Sequence, residues 1–478
     1  MKQIGVVIAL LVLCCFCIYA AAEEWQISPG GMTIGEALSQ CDDGDVIILS
    51  GGLYDQERET FPLVVNKKVT LCAAEGETPE IYSPHHQKGL KIEADGVTLR
   101  GLTISHEHIG LYVTGNDLTV ENCSFRLGDP AWRTSSCAMW LGGIYRAKLL
   151  NCDFTGSGPC LAGPPLSESS KGLPVLTGMF EVGEDIEYFT THTIENCRVN
   201  GKPLYYIVSQ ETVEAPKDAG MLFCADCGSV YADGLDVSDS SMGIELLYCQ
   251  KVHLRNCRPD RCGIFGIYVA KSTDVLLEGC TVEGTNHGLD IRACDRATML
   301  CCTAKNCDQG LFFSKVNYGS MIDCTVADTG QGIFTAGGYR NLFCNCRVSG
   351  CENGMNIQKD DEARVTGCEI TGCTVCGARL DGTPTVFTHN TVRDNWTGVM
   401  AYGEVSFIIS DNLFDGNRSC GLFLRDIAYS RVTGNRFVNH EKTSVEARGD
   451  MGMSLWYENE LDLPMQAEEE SVFTVPGK

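Results

Sequence analysis

A repeat constrains this chain more than any other feature. A bend word ending in Cys or Asn recurs between Leu235 and Asn439, with that residue at Cys257, Cys280, Cys302, Cys324, Cys346, Cys368, Asn390, Asn412 and Asn435, in steps of 22 or 23. A second marker, a glycine opening an apolar/any/apolar triplet, keeps the same interval from Gly243 through Gly266, Gly288, Gly310, Gly332, Gly354, Gly377 and Gly398 to Gly421. Two markers in phase over this many cycles define a solenoid. Each cycle holds runs of three to five residues with period two, such as Val275 and Leu277, separated by Gly or Asn, and none is long enough for a helix. Every cycle repeats in the same direction, so hairpins are not expected. Each strand pairs in parallel with its counterpart one cycle on, about 4.8 Å away. The expected fold is therefore all-β: a single-stranded right-handed parallel β-helix of about 22 residues per turn, its hand following from the crossover rule.

Before the repeat, Lys2 precedes an apolar run from Ile4 to Ile18 and the small residues Ala20, Ala21 and Ala22. This reads as a signal peptide over 1–22, too short for a bilayer span, and implies a secreted, periplasmic or cell-surface protein with no transmembrane segment. Residues 23–99 read as an N-terminal cap and first turns, with a short amphipathic helix between Met32 and Cys41, N-capped by Thr33, covering the open end. Residues 100–234 read as β-helix with loop insertions, because the beat is broken between Cys123 and Leu235. Residues 235–460 form the regular coil, and 461–478 an acidic tail. Extra residues in a solenoid leave as loops on a side face, where binding is common.

The chain carries a net charge of −25 without a basic block, which argues against nucleic acid and anionic membranes. An acidic polysaccharide would need a divalent cation such as Ca to bridge it. Of 28 cysteines three fall in the leader, leaving an odd number, and the regular ones share a register position with Asn390, Asn412 and Asn435. They read as small buried residues of a ladder, not as a disulfide framework. A monomer is expected.

At Asn200–Ile207 the chain reads NGKPLYYI, and near the start DGDVIILSGGLY. The first resembles the NosD-type β-helix domain, within the wider group of carbohydrate-binding and sugar-hydrolase (CASH) domains; the second resembles the first turn of many pectin-lyase-like proteins. For the NosD family proper, the resemblance implies an exported accessory of copper-centre assembly. Shared shape alone does not transfer that role.

Two outward stripes are expected on the strand following the glycine marker. They place Tyr268, Phe312, Phe334, Asn356, Arg379, Asp381 and Phe423 on one lateral face. Aromatic faces cover sugar C–H groups while polar neighbours orient hydroxyls, so this face is the candidate polysaccharide-binding surface. Stacked aromatics also stabilise a sheet without any ligand. For catalysis the best cluster is Asp290, Arg292 and His287, as a base and a cation for a polysaccharide lyase; a hydrolase needs two carboxyls at a set separation, and Asp290 and Asp381 are four turns apart. For a metal, His106 and His108 would share one strand face, where imidazoles suit Cu. Carbohydrate binding, polysaccharide cleavage and copper handling thus remain as three readings.

Overall fold

The computed structural model describes residues 22–84, 86–164, 185–469 and 471–474. The expected signal peptide, apart from Ala22, and the last residues of the acidic tail lie outside the described residues. The expected coil is present. His287, Gln309, Gln331 and Asn353 are successive register partners in parallel strands, each 22 residues from the next. Thr281, Thr303 and Thr325 pair likewise, so Cys280, Cys302 and Cys324 just before them lie one above another.

Both sequence markers have a physical cause. The residue before each ladder Cys or Asn takes a left-handed backbone conformation, with φ of +50° at Asn256, +61° at Gly279, +53° at Asp323 and +55° at Asn345, which favours Asn, Asp and Gly. The marker glycines lie where a neighbouring rung comes closest: a Cβ on Gly332 would stand 2.2 Å from the Gly354 carbonyl oxygen, and one on Gly288 2.5 Å from that of Gly310.

The ladder cysteines are buried, and all described cysteines are free thiols. They do more than fill space. The Cys302, Cys324 and Cys346 thiols donate to the carbonyls of Leu277, Met299 and Met321 at 3.3 to 3.4 Å. The Asn390, Asn412 and Asn435 amides donate to the equivalent carbonyls of Val365, Phe387 and Ile409 at 3.1, 3.0 and 2.8 Å. Cys and Asn can share this ladder position because both can satisfy the same inward carbonyl.

The structure departs from a single uninterrupted coil at one place. Arg198–Val199 pairs antiparallel with the start of Lys202–Val208, Val199 opposite Lys202. Asn200 and Gly201 connect them with φ of +52° and +77°, the two positive values of a type I′ hairpin turn. Strand direction reverses there, and parallel winding resumes as Lys202–Val208 pairs with Met221–Ala225. One sheet therefore runs through both halves, while the second coil winds on its other face. Along Met221–Ala225 the side chains alternate between two cores. Leu222 and Cys224 join the second coil's interior, whereas Met221, Phe223 and Ala225 join the first coil's. The same division places Ile267 and Val269 in one core and Phe265, Tyr268 and Ala270 in the other.

A helix spans Ile34–Gln40, as its sequence predicts. The Thr33 hydroxyl accepts from Glu36 N at 3.0 Å while the Glu36 carboxylate accepts from Thr33 N at 2.9 Å. This capping box orients Ile34, Ala37 and Leu38 into the first coil's core.

Candidate functional site

The candidate site is the outer face of the sheet shared by the two coils. The strands Met242–Leu247, Phe265–Ala270, His287–Arg292, Gln309–Asn317, Gln331–Tyr339, Asn353–Asp361, Cys376–Asp381, Thr397–Tyr402 and Cys420–Arg425 follow one another across it. Glu245, Tyr268, Asp290, Phe312, Phe334, Asn356, Arg379, Met400 and Phe423 form one column in register. The column is the expected stripe, but it is not uniformly open. Its first rungs face the end of the first coil, where the Ser241 hydroxyl accepts from Gly158 N at 2.9 Å and Ser135 N donates to the Gly263 carbonyl at 2.7 Å. Tyr268 is consequently 1 % exposed and Phe312 7 %. Neither is the open sugar contact expected of it; the first coil already covers that part of the sheet.

The cluster proposed for catalysis does come together, within this closed part. Arg292 donates to both Asp290 oxygens, Nε to Oδ1 and a terminal nitrogen to Oδ2, each at 2.8 Å. His287 Nδ1 lies 3.0 Å from Asp290 Oδ2. The Arg292 guanidinium stands 5.4, 5.6 and 5.1 Å from the ring centres of Phe265, Tyr268 and Phe312. Burial opposes ionisation of Asp290, but the Arg292 charge and the hydrogen bonds from Arg292 and His287 outweigh it and hold the carboxyl below its ordinary range. A carboxylate stabilised in this way, with both oxygens engaged, is a poor proton acceptor, and all three side chains belong to the one strand His287–Arg292. Two rungs away, burial pushes the Glu245 carboxyl well above its ordinary range, and neither of its oxygens has a partner among the described residues. Asp381 stands four rungs from Arg292, the separation the repeat implies.

From Phe334 onward the outer face opens. Phe334, Asn356, Gln358 and Met400 are half-buried, and Arg379 and Arg425 are exposed. Arg379 pairs with Asp381 at 2.7 Å, and the guanidiniums of Arg379 and Arg425 stand 5.3 and 4.8 Å from the Tyr402 ring centre. Tyr402 and Phe423 lie 5.7 Å apart, and Arg448 stands 5.6 Å from Phe423. Rings and cations thus interleave over several rungs in contact with solvent.

Two family models match this chain in sequence. "Right handed beta helix region" matches residues 312–460, and "Periplasmic copper-binding protein (NosD)" matches residues 183–345. The first of these models describes the coil seen in the structure, a right-handed β-helix. The NosD match includes the Asn200–Gly201 reversal and the closed part of the shared sheet. No curated protein matches this β-helix significantly in sequence. Similar solved structures include a polygalacturonase from Erwinia carotovora ssp. carotovora at 9 % identity, covering 95 % of this chain and 96 % of that one with a TM-score of 0.30. A mannuronan C-5 epimerase A-module from Azotobacter vinelandii is 11 % identical over 91 % of this chain and 90 % of that one, TM-score 0.25. A pectate lyase is 12 % identical over 71 % and 79 %, TM-score 0.23.

The histidines of this β-helix do not form the expected metal pair. His106 ends the strand Thr103–His106, fully buried, with neither ring nitrogen partnered among the described residues, and burial depresses its pKa to about 3. His108 lies beyond that strand, its Nδ1 2.8 Å from the Ser135 carbonyl. Among the described residues no group of three or more His, Cys, Asp or Glu side chains is arranged to hold a metal ion. The second outward stripe expected from the sequence runs through Asp381, Tyr402 and Arg425, which are register partners here; sequence reasoning missed Arg448, one rung further on.

Proposed function

We propose that this β-helix is an exported protein that binds polysaccharide along the open rungs of the shared sheet, between Phe334 and Arg448. The observation that carries the reading is the solvent-facing alternation of Tyr402 and Phe423 with Arg379, Arg425 and Arg448. Ring faces cover the C–H surface of sugars, while the guanidiniums, Asp381, Asn356 and Gln358 orient hydroxyls. Rungs repeat at about 4.8 Å, so a polymer running along the coil axis meets similar groups at each step. Phe334, Asn356, Arg379, Asp381 and Phe423 remain in the contact set; Tyr268 and Phe312 leave it because they are covered. Export rests on the leader beginning at Lys2, and the Ile34–Gln40 helix closes the N-terminal end of the coil. The engagement of both Asp290 oxygens by Arg292 and His287 favours a binding role over cleavage.

The test is a glycan-array and titration series on the intact chain with Tyr402→Ala and Phe423→Ala. Saturable binding to at least one polysaccharide, weakened about tenfold or more by each substitution, is expected. Binding that both variants leave unchanged would remove this face from consideration.

A further inference from the structure

A second site lies apart from that face, at the seam where strand direction reverses. A cleft of about 540 Å³ opens there between the first coil and the start of the second. Asn200 ties its walls together: its Oδ1 accepts from Gly156 N at 2.8 Å, and its Nδ2 donates to the Asp239 carbonyl at 2.9 Å. Arg133 from the first coil and Arg261 from the second both pair with the Asp239 carboxylate, so that acid is saturated.

Three cations, Arg133, Lys202 and Arg261, line this cleft against two carboxylates, Asp236 and Asp239. A local excess of one positive charge is unusual in a chain of net charge −25. The donors are not used up. Among the described residues Lys202 Nζ gives one hydrogen bond, to the Asp236 backbone carbonyl at 3.0 Å, and the Arg133 guanidinium bonds only to Asp239. On the acceptor side, Ser238 engages Asp236 Oδ1 at 2.7 Å, and Oδ2 has no hydrogen bond among the described residues.

We propose that the seam cleft binds a monoanionic, hydroxyl-bearing small molecule, a sugar acid. Lys202 and Arg133 take its carboxylate, and Asp236 Oδ2 accepts a hydroxyl. The single excess charge selects a monoanion over a neutral sugar, which leaves the cations unanswered, and over a dianion, which overshoots them. Clefts between two packed units are common ligand sites, and walls already fixed by Asn200 lower the ordering cost of binding.

Isothermal titration of the intact chain with D-glucuronate, D-glucose and glucose 6-phosphate tests this. One glucuronate per chain is expected, with glucose and glucose 6-phosphate each at least about tenfold weaker. Lys202→Met, at an exposed position, should weaken glucuronate by about tenfold or more with an unchanged melting temperature. Asp236→Asn raises the local excess to two positive charges, so it should strengthen glucose 6-phosphate relative to glucuronate by about tenfold, giving a second reading should the lysine variant misfold. The idea is overturned by absent glucuronate binding, by glucose or the phosphate ester binding equally well, or by Lys202→Met leaving glucuronate affinity unchanged while Asp236→Asn leaves the preference between glucuronate and glucose 6-phosphate unchanged. The site is independent of the polysaccharide face: Tyr402→Ala and Phe423→Ala should not alter glucuronate affinity, and their failure on glycans would leave this result standing.

Discussion

Asp360 shows how a single side chain can make stability depend on pH. It is fully buried inside the second coil, where Asn341 Nδ2 donates to its Oδ2 at 2.9 Å and its Oδ1 has no partner among the described residues. Burial raises its pKa to about 6. A carboxyl that ionises less readily when folded favours the folded state while protonated. That contribution is complete below the ordinary value near 3.8 and is lost as pH rises through about 6. Asp360→Asn, which cannot ionise, should therefore match the natural protein near pH 4 and exceed its stability by up to about 3 kcal/mol above pH 7. Denaturant melts at both values check this; a stability gap equal at the two pH values would refute the buried-carboxyl origin. At Asp290 the same burial is overcome by Arg292 and His287, so two aspartates of one coil are driven in opposite directions by their neighbours.

At the scale of the element, the Asn200–Gly201 hairpin decides where the chain turns back. Both residues occupy positive φ, and the strands it joins are Arg198–Val199 and Lys202–Val208. A β-branched side chain at Gly201 would be strained at φ +77° even though no atom lies within 4 Å of its Cβ position. Gly201→Val should cost about 1–3 kcal/mol by chemical denaturation, whereas the same change at exposed, negative-φ positions should be nearly neutral. A cost near zero would mean that the reversal is imposed by the packing of the coils and not by the turn. The contrast with the bend ladder is instructive: there Asn256, Asp323 and Asn345 take single left-handed steps that turn a corner without reversing the strand.

Across the whole molecule, the two coils are coupled through a sheet with a core on each face. Tyr268 stands at that coupling, stacked 4.6 Å from Phe265 and sharing the first coil's core with Leu161 and Ala162. Tyr268→Ala should destabilise the protein by about 3–5 kcal/mol. Hydrogen exchange should show lost protection in the first coil's Pro159–Ala162 strand as well as in Phe265–Ala270. Loss confined to the second coil would mean that the cores open independently. The same arrangement explains why the lateral face is divided: the end of the first coil covers the rungs up to about Phe312 and leaves those beyond Phe334 to solvent.

The parallel coil, its 22-residue step, the cysteine and asparagine ladder and the helix after Thr33 were all legible in the residues, because each is set by local periodicity or local backbone conformation. Even the reversal had a local sign, the Asn200–Gly201 pair, which the expectation of uniform winding overrode. Which outward residues meet solvent was not legible. Tyr268, Phe312 and Phe423 occupy the same repeat position, and periodicity treats them alike. Only the packing of one coil's end against the other's sheet separates them. Burial at such a position is a contact between segments distant in the chain, and a repeating pattern carries no record of it.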